Sequence, residues 1–486
     1  MSKSFNIISA LLKSSNGIGK NNRLPWDYIK EDMSFFKKIT TSNKSTINAV
    51  IMGKNTWNSI SEKSKPLQNR INIVLSKNKI HNKNNNVITA NSLNEALNIC
   101  YNHKKINDIF VIGGEKVYKE AIIHPDCKYL YLTKVSPVSY ILCDTFFPKI
   151  PNWIVKKETN QIKKKGMTLD FEKWENIYDS TSNENQYINL VKSIIETGEK
   201  VKTRNGVVRK IFGPQHSFDL QKGFPLLTTK KMFFNGIDNE LLFFIRGETN
   251  TNLLSQNDVN IWKKNTSLEF LKERGLNYPE GYMGPMYGFN WRHFGAEYKF
   301  CKEYYKDNGY DQLYHLIQTL THNKHDRRHL LTTYDPSRIS ECVLAPCHGI
   351  VTQFYISRKN NNDYLNCKMY QRSVDVALGY PFNIASYALF VHLLCYVTGY
   401  LPGKLIMTLG DTHIYENHIK PLLTQIDRYP LKQPTLLIHP PGLFSNNYLP
   451  LNTTYDKITF LEKIEPHNIT LNNYHCWPSV KMDMVA

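Results

Sequence analysis

The polar stretch at residues 176–186 (NIYDSTSNENQ) constrains this chain more than any other feature. It has no apolar periodicity, and the segments on either side of it follow different patterns. Before it, short β-rich runs (FNIISALL, NAVIMG, INIVLS, DIFVIGG, YLYLTKV, MTLDFEKW) alternate with helical stretches such as KEDMSFFKKI and SLNEALNICYN. That alternation predicts an α/β domain over residues 1–175 with a mostly parallel sheet. After it, QYINLVKSIIETG spaces its apolar residues as a helix and stops at Gly198, a residue suited to a C-cap. A second domain is expected over 187–486, richer in aromatics and long helices, with 176–186 as a short linker. At 486 residues, 41% of them hydrophobic, the chain can support two cores.

The formal net charge of +19 admits a nucleic-acid partner, anionic small substrates, or a plain excess of lysine. Lys and Asn are scattered, as in NKNNN (82–86), and the short KKK at 163–165 reads as a solvated turn. No dense basic run and no aromatic RNA-binding motif appears, so nucleic acid is not the expected partner. Nine cysteines without a CxxC predict neither a disulfide framework nor a metal site. They suit a reducing compartment, and a cytoplasmic location is expected. Ile384 to Leu401 contains no Asp, Glu, Lys or Arg, but Ser386, His392, Thr398 and Gly399 interrupt it. It reads as a helix buried in a domain rather than a membrane span.

Chemistry-bearing residues fall in both halves. NGIGKNNRLPW (16–26) is a Gly- and Asn-rich loop. The following helix carries Asp32 and Phe36 four residues apart, on one face. Asp32 on that face either binds something or turns to solvent. MGKNTW (52–57) and VIGGEKVY (111–118) each place glycine between a strand and a helix, where a backbone can approach a phosphate-bearing ligand. In the second half, LAPCHG (344–349) holds Cys347. It is either an inert buried cysteine or a nucleophile activated by positive neighbours of the kind found in DRRH (326–329) and YQRSVD (370–375).

GIGKNNRLPW, EDMSFF, MGKNTWNSI, PLQNRINIVLS and VIGGEKVY, in this order, resemble dihydrofolate reductase over nearly the whole first half. The resemblance implies hydride transfer from NADPH to dihydrofolate. Asp32 would hold the pterin and assist protonation at N5, with Glu31 facing elsewhere and Thr133 hydrogen-bonded to the acid. Phe36 and Ile112 would line the pterin slot, and Arg70 would pair with the folate α-carboxylate. Ala10, Gly19, Gly53, Lys54, Thr56, Ser76, Lys77, Gly113 and Gly114 match cofactor-contacting positions, with Lys54 and Lys77 favouring the 2′-phosphate.

FPLLTTKK, NELLFFIRGETN, GPMYGFNWRHFG, DRRHLLTTYDPS, LAPCH, QRSVDVALGYPFNIASYALF and GDTHIYENH resemble thymidylate synthase from about residue 186 to the end. The resemblance implies an α+β domain, and so a chain of class α/β plus α+β. It also implies methylation of dUMP by 5,10-methylenetetrahydrofolate through a Cys347 adduct, without a metal. Arg204, Gln371, Arg372 and Ser373 match ligands of the nucleotide, with Arg327 and Arg328 supplied by the second subunit of a homodimer formed through this domain. Asn383 would read the uracil edge, where aspartate would suit cytosine. His413 and Tyr415 match ribose ligands; Glu240, Tyr287 and His348 match a proton-handling network; Asp375 and Trp262 match folate-side positions. The tail PSVKMDMVA resembles a segment that closes over bound ligands. The loop RNGVVRKIFG (204–213) is one residue shorter than the usual pattern, and IWKKN (261–265) has Lys and Asn where an acid and a second tryptophan are common.

A chain with both halves would recycle its own folate product, and fusion raises the local concentration of one site near the other. The rival readings are an RNA-binding protein on an enzyme scaffold, and an enzyme with one working site whose first half serves assembly. Asp32, Arg70 and Gly113–Gly114 speak against the second.

Overall fold

The computed structural model describes residues 4–483 except 43–45, 81–86, 165, 180, 301–302, 306–307 and 442–450. The run 82–86, Lys165 and the last three residues of the tail therefore lie outside the described residues. Contacts divide the chain into two units, Met1–Tyr178 and Asp179–Ala486.

The first unit is built on an eight-stranded sheet. Its order is Val87–Ala90, Arg70–Leu75, Ile47–Gly53, Ile106–Val111, Phe5–Leu12, Cys127–Ser136, Met167–Asn176 and Ile154–Lys164. The first six strands run parallel, and Met167–Asn176 is antiparallel to both of its neighbours, Cys127–Ser136 and Ile154–Lys164. Phe5–Leu12 is central and almost wholly buried, as expected of a parallel strand covered on both faces. The hairpin strand Ile154–Lys164 is buried only at Ile154. Its lysines mark an exposed edge, and its lack of apolar alternation hides it from a sequence reading. The helix Lys30–Thr40 has Glu31 and Asp32 in its first turn and Lys37 and Lys38 in its last, matching the helix dipole.

In the second unit a seven-stranded sheet has the order Glu199–Thr203, Gly206–Phe212, Leu401–Tyr415, Asn362–Asp375, Val351–Lys359, Leu330–Leu331, with Gln215–Asp219 also paired to Leu401–Tyr415. Only Asn362–Asp375 and Leu401–Tyr415 are parallel to each other, in a register that pairs Ser373 with Asp411 and Asp375 with His413. The helix Gly379–Thr398 is apolar all round and mostly buried, and it ends on Gly399 in the left-handed conformation. Trp291 stacks on its Phe390 at 4.9 Å. Each such buried aromatic stabilises the core by about 1.5–3 kcal/mol.

Two local expectations change. Gly198 does follow the helix Asn185–Thr197, but its φ is −66°, not left-handed. Glycine is needed there for space, because a Cβ would lie 2.4 Å from Ile194 O. Within the polar stretch 176–186, Ser182, Asn183 and Glu184 are buried in the second unit.

Candidate active sites

In the first unit Gly53, Ser76 and Ile112–Gly114 stand where parallel strands end, Ala10 and Thr133 lie within strands, and Arg70 opens one. Ala10 and Thr133 are partners in adjacent strands. The Gly53 amide donates to Gly113 O at 2.8 Å and the Ile112 amide to Ile51 O at 2.9 Å. Asp32 is buried, not solvent-facing. Burial lifts its carboxyl above the ordinary carboxylate range, and a hydrogen bond from Thr133 opposes part of that rise. Its neighbour Glu31 points elsewhere, pairs with Lys164, and has its pKa lowered.

The helix carrying Asp32 presents Phe36 one turn on and Thr40 one turn further. Thr40 Oγ1 accepts from Arg70 Nη1 at 2.7 Å, and the Arg70 guanidinium lies 5.7 Å from the Phe36 ring. Eight residues of helix span about 12 Å. An acid at one end and a buried guanidinium at the other thus bracket an apolar slot that Phe36 and Ile112 border, both packed on one cluster. Arg70 Nε is held by Gln68 O at 3.0 Å. A cavity of about 620 Å³ opens between Asn21–Arg23 and residues 55–62.

Gly113 and Gly114 are joined by a cis peptide, and Gly113 has φ +127°. A Cβ on either would press within 3.3 Å of Thr56 Oγ1, so the corner must stay bare. Gly53 N-caps the helix Lys54–Ser59, and Lys54 and Lys77 are exposed beside these corners in sequence. Ser76 Oγ donates to Asn78 O at 2.8 Å, turning the chain after its strand. Gly19, in the short strand Gly17–Gly19, is partly buried. Bare backbone corners flanked by exposed lysines fit a phosphate-bearing dinucleotide.

In the second unit Cys347 is partly exposed and is held by the strand beside it, its carbonyl accepting the Arg372 amide at 2.8 Å. The Cys347 amide donates to Tyr287 Oη at 3.1 Å, and the same oxygen lies 3.5 Å from Cys347 Sγ. Tyr287 has a positive φ of 46°. Its ring is sandwiched between Phe244 (4.9 Å) and His348 (4.4 Å). His348 Nδ1 is 3.2 Å from Tyr387 Oη, and burial pushes its pKa down to about 3, so it is a neutral imidazole. Trp262 Nε1 donates to Glu240 Oε1 at 2.7 Å, and burial raises that carboxyl to about 7.

One expectation is corrected here. Positive neighbours were to lower the Cys347 pKa; instead burial raises it overall, while Tyr287 and Arg372 lower it only in part. Within one chain Arg372 is the cation acting on the thiol, its Nε and Nη2 donating to Pro346 O and Ala345 O.

Arg204, Arg372, Ser373, His413 and Tyr415 line one cavity of about 430 Å³, with Tyr370 and Asp411. Gln371 is buried: its Nε2 donates to Ser373 O, and its Oε1 has no partner among the described residues. Asp375 accepts from the Ala377 amide at 2.9 Å, and Asn383 is buried on Gly379–Thr398. Arg327 and Arg328 do not line this cavity. Arg328 is 85% exposed and donates to Asp326 through Nε and Nη2.

Sequence reasoning missed Thr40, Phe244, Tyr387 and Asp411. Each acts by holding a named residue: Arg70, Tyr287, His348 and, through a 3.0 Å contact, His413. Only Asp411, two residues before His413 in a strand and so on the same face, carried a usable signal.

The dihydrofolate reductase family model matches residues 4–176 and the thymidylate synthase model residues 185–486. A bifunctional dihydrofolate reductase-thymidylate synthase of Paramecium tetraurelia is 39% identical, covering 90% of this chain and 92% of the relative. Those of Leishmania major and Arabidopsis thaliana (number 2) are each 36% identical, covering 100% and 90% of this chain and 95% and 83% of the relatives. The chain belongs to the bifunctional dihydrofolate reductase–thymidylate synthase family.

Proposed function

We propose that the residues assembled above carry the two activities of this family, the NADPH-dependent reduction of dihydrofolate and the methylation of dUMP to dTMP. The reductase lies in the unit Met1–Tyr178 and the synthase in the unit Asp179–Ala486, which takes in most of the stretch expected as a linker. In the reductase, bound NADPH supplies a hydride. Asp32 holds the pterin ring and, with its proton affinity raised, delivers a proton toward N5. Thr133 fixes the acid's orientation. Arg70 takes the folate carboxylate at the far end of the slot. The corners at Gly53 and Gly113–Gly114, with Thr56, Ser76, Lys54 and Lys77, hold the dinucleotide, and Ala10 and Gly19 border it.

In the synthase, Cys347 Sγ adds to C6 of the uracil, and C5 then attacks the methylene of 5,10-methylenetetrahydrofolate. The C5 proton leaves through the network of Tyr287, Glu240 and His348, and the bond between the methylene and folate N5 breaks; the released tetrahydrofolate gives a hydride to the methylene carbon and becomes dihydrofolate, and the C6–Sγ bond then breaks to free dTMP and Cys347. Arg204, Arg372 and Ser373 hold the phosphate, with Gln371 beside it; His413 and Tyr415 hold the ribose; Asn383 reads the uracil. Asp375 and Trp262 face the folate. The observation carrying this reading is the Tyr287 hydroxyl bonded to the amide and thiol of Cys347.

The active form is a homodimer through the synthase domain, in which Arg327 and Arg328 reach the partner's phosphate. What supports it is one sheet face with Leu330, Val351, Tyr355 and Tyr370 exposed, Tyr355 at 68%. Arg327 and Arg328 directly precede the strand Leu330–Leu331 at its edge. A cytoplasmic location is supported by cysteines that are all free among the described residues. Two assays on the full chain test the assignment: NADPH oxidation with dihydrofolate, and dUMP-dependent dihydrofolate formation. Asp32→Asn lowers the first alone, by about 10²–10⁴-fold, and Cys347→Ser abolishes the second alone; any crossed loss overturns it.

A further inference from the structure

Glu184 has no part in either reaction as described, yet four hydrogen bonds converge on its buried carboxylate. It is 1% exposed, and it precedes the helix Asn185–Thr197 as its N-cap residue. One oxygen accepts from the amide and hydroxyl of Thr228 at 2.8 and 2.6 Å. The other accepts from the amide and hydroxyl of Thr229 at 2.9 and 2.6 Å. A carboxylate is the one side chain that offers acceptors only on both oxygens, and four donors converging on it form charge-assisted bonds.

The two threonines reach onward in two directions. Toward the C-terminal tail, Thr228 O accepts the Trp477 amide at 2.8 Å, and Thr229 O accepts from Arg428 Nη1 at 2.7 Å. That same Nη1 holds Pro478 O at 2.7 Å, and the guanidinium lies over the Trp477 ring. Toward the folate side, the next residue, Lys230, is buried and donates from Nζ to Ala377 O at 2.7 Å, and the Ala377 amide is in turn held by Asp375. Residues 228–230 thus hold the tail at Trp477–Pro478 and the backbone beside Asp375; further along, Met482 packs on the core and Asp483 O lies 2.7 Å from His418 Nε2.

We propose that Glu184 is a positioning residue of the synthase reaction: through Thr228 and Thr229 it sets how the tail is held at Trp477–Pro478 and how the Asp375 segment meets the folate co-substrate. This rests on the folate-side reading of Asp375 and Trp262. Glu184 touches neither substrate, and the nucleotide cavity does not include it, so dUMP binding is independent of it.

The test is Glu184→Gln in the full chain, which turns an amide NH₂ toward donors while keeping size and shape. The expected result is a rise of about tenfold in KM for 5,10-methylenetetrahydrofolate, with dUMP dissociation within about twofold and reductase turnover unchanged. Trypsin cleavage after Lys481, an exposed tail residue, becomes faster in the absence of ligands. Thr228→Val, which removes one of the four bonds, moves both readouts in the same direction by less, and keeps the question open to measurement should the glutamine variant not fold. A fall in melting temperature with unchanged folate KM and unchanged Lys481 cleavage would reduce Glu184 to a structural anchor and overturn the proposal. Asp375→Asn is the control: an unchanged folate KM there overturns the folate-side reading, and the Glu184 inference with it.

Discussion

The Tyr287 hydroxyl accepts the Cys347 amide at 3.1 Å and stands 3.5 Å from Cys347 Sγ. The tyrosine proposed to handle protons therefore also acts on how readily the Cys347 thiol ionises. Burial raises the thiol's pKa, and Tyr287 is the largest influence opposing it.

Tyr287→Phe keeps the ring between Phe244 and His348 but removes the hydroxyl. Alkylation of Cys347 by iodoacetamide, followed against pH, then shifts its midpoint upward, because the thiolate loses a donor. Synthase kcat falls about 10²-fold, while NADPH oxidation by the reductase is unchanged. An unshifted alkylation profile would show that the hydroxyl does not act on the thiol.

Thr133→Val tests the acid of the reductase. The Thr133 bond favours the ionised form of Asp32, so its loss raises the Asp32 pKa further. If the protonated form is the active one, the rate limb that falls with rising pH moves to higher pH. Asp32→Asn removes that limb and lowers kcat by about 10²–10⁴. A limb moving to lower pH in Thr133→Val would contradict this arrangement.

These two sites differ in how much of them was legible before folding. The Gly113–Gly114 corner and the Arg372–Ser373 pair announce themselves by residue type, because bare backbone and fixed guanidinium have few other uses in such positions. Asp32 did not: its spacing allowed a solvent-facing carboxylate, and only packing shows it buried. Phe244 and Tyr387 look like ordinary core aromatics on apolar helices, and their role arises from elements distant in sequence. Glu184 sat in a polar stretch expected to be a linker, where nothing local signals that four donors from residues 228–229 will surround it. The strands Val87–Ala90 and Ile154–Lys164 escaped because one is four residues long and the other lies almost wholly in solvent.

Asp238 is a buried carboxyl on the helix Phe234–Ile245, bonded by the amide and side chain of Asn239 and raised to about 7 by burial. Unfolded, it ionises near the ordinary aspartate value of 3.8. Between those values the folded state keeps the proton and the unfolded state releases it, so its contribution is full at low pH and is lost as pH rises through about 7. Asp238→Asn removes this dependence. Between pH 5 and pH 8 the wild type should lose up to about 3 kcal/mol relative to the variant. Calorimetric melting of both proteins at the two pH values measures it; parallel melting temperatures would contradict the assigned burial.

In the proposed homodimer each synthase site takes Cys347 and Arg372 from one chain and Arg327 and Arg328 from the other. Inactive Cys347→Ser and inactive Arg328→Ala proteins can be mixed, dissociated and reassembled, and the synthase rate measured. Half the dimers are then mixed, and each mixed dimer contains one site with both native residues. The account predicts recovery to about one quarter of the wild-type rate. Recovery no greater than the sum of the two parents would place the arginine and the cysteine of one site on the same chain and contradict it.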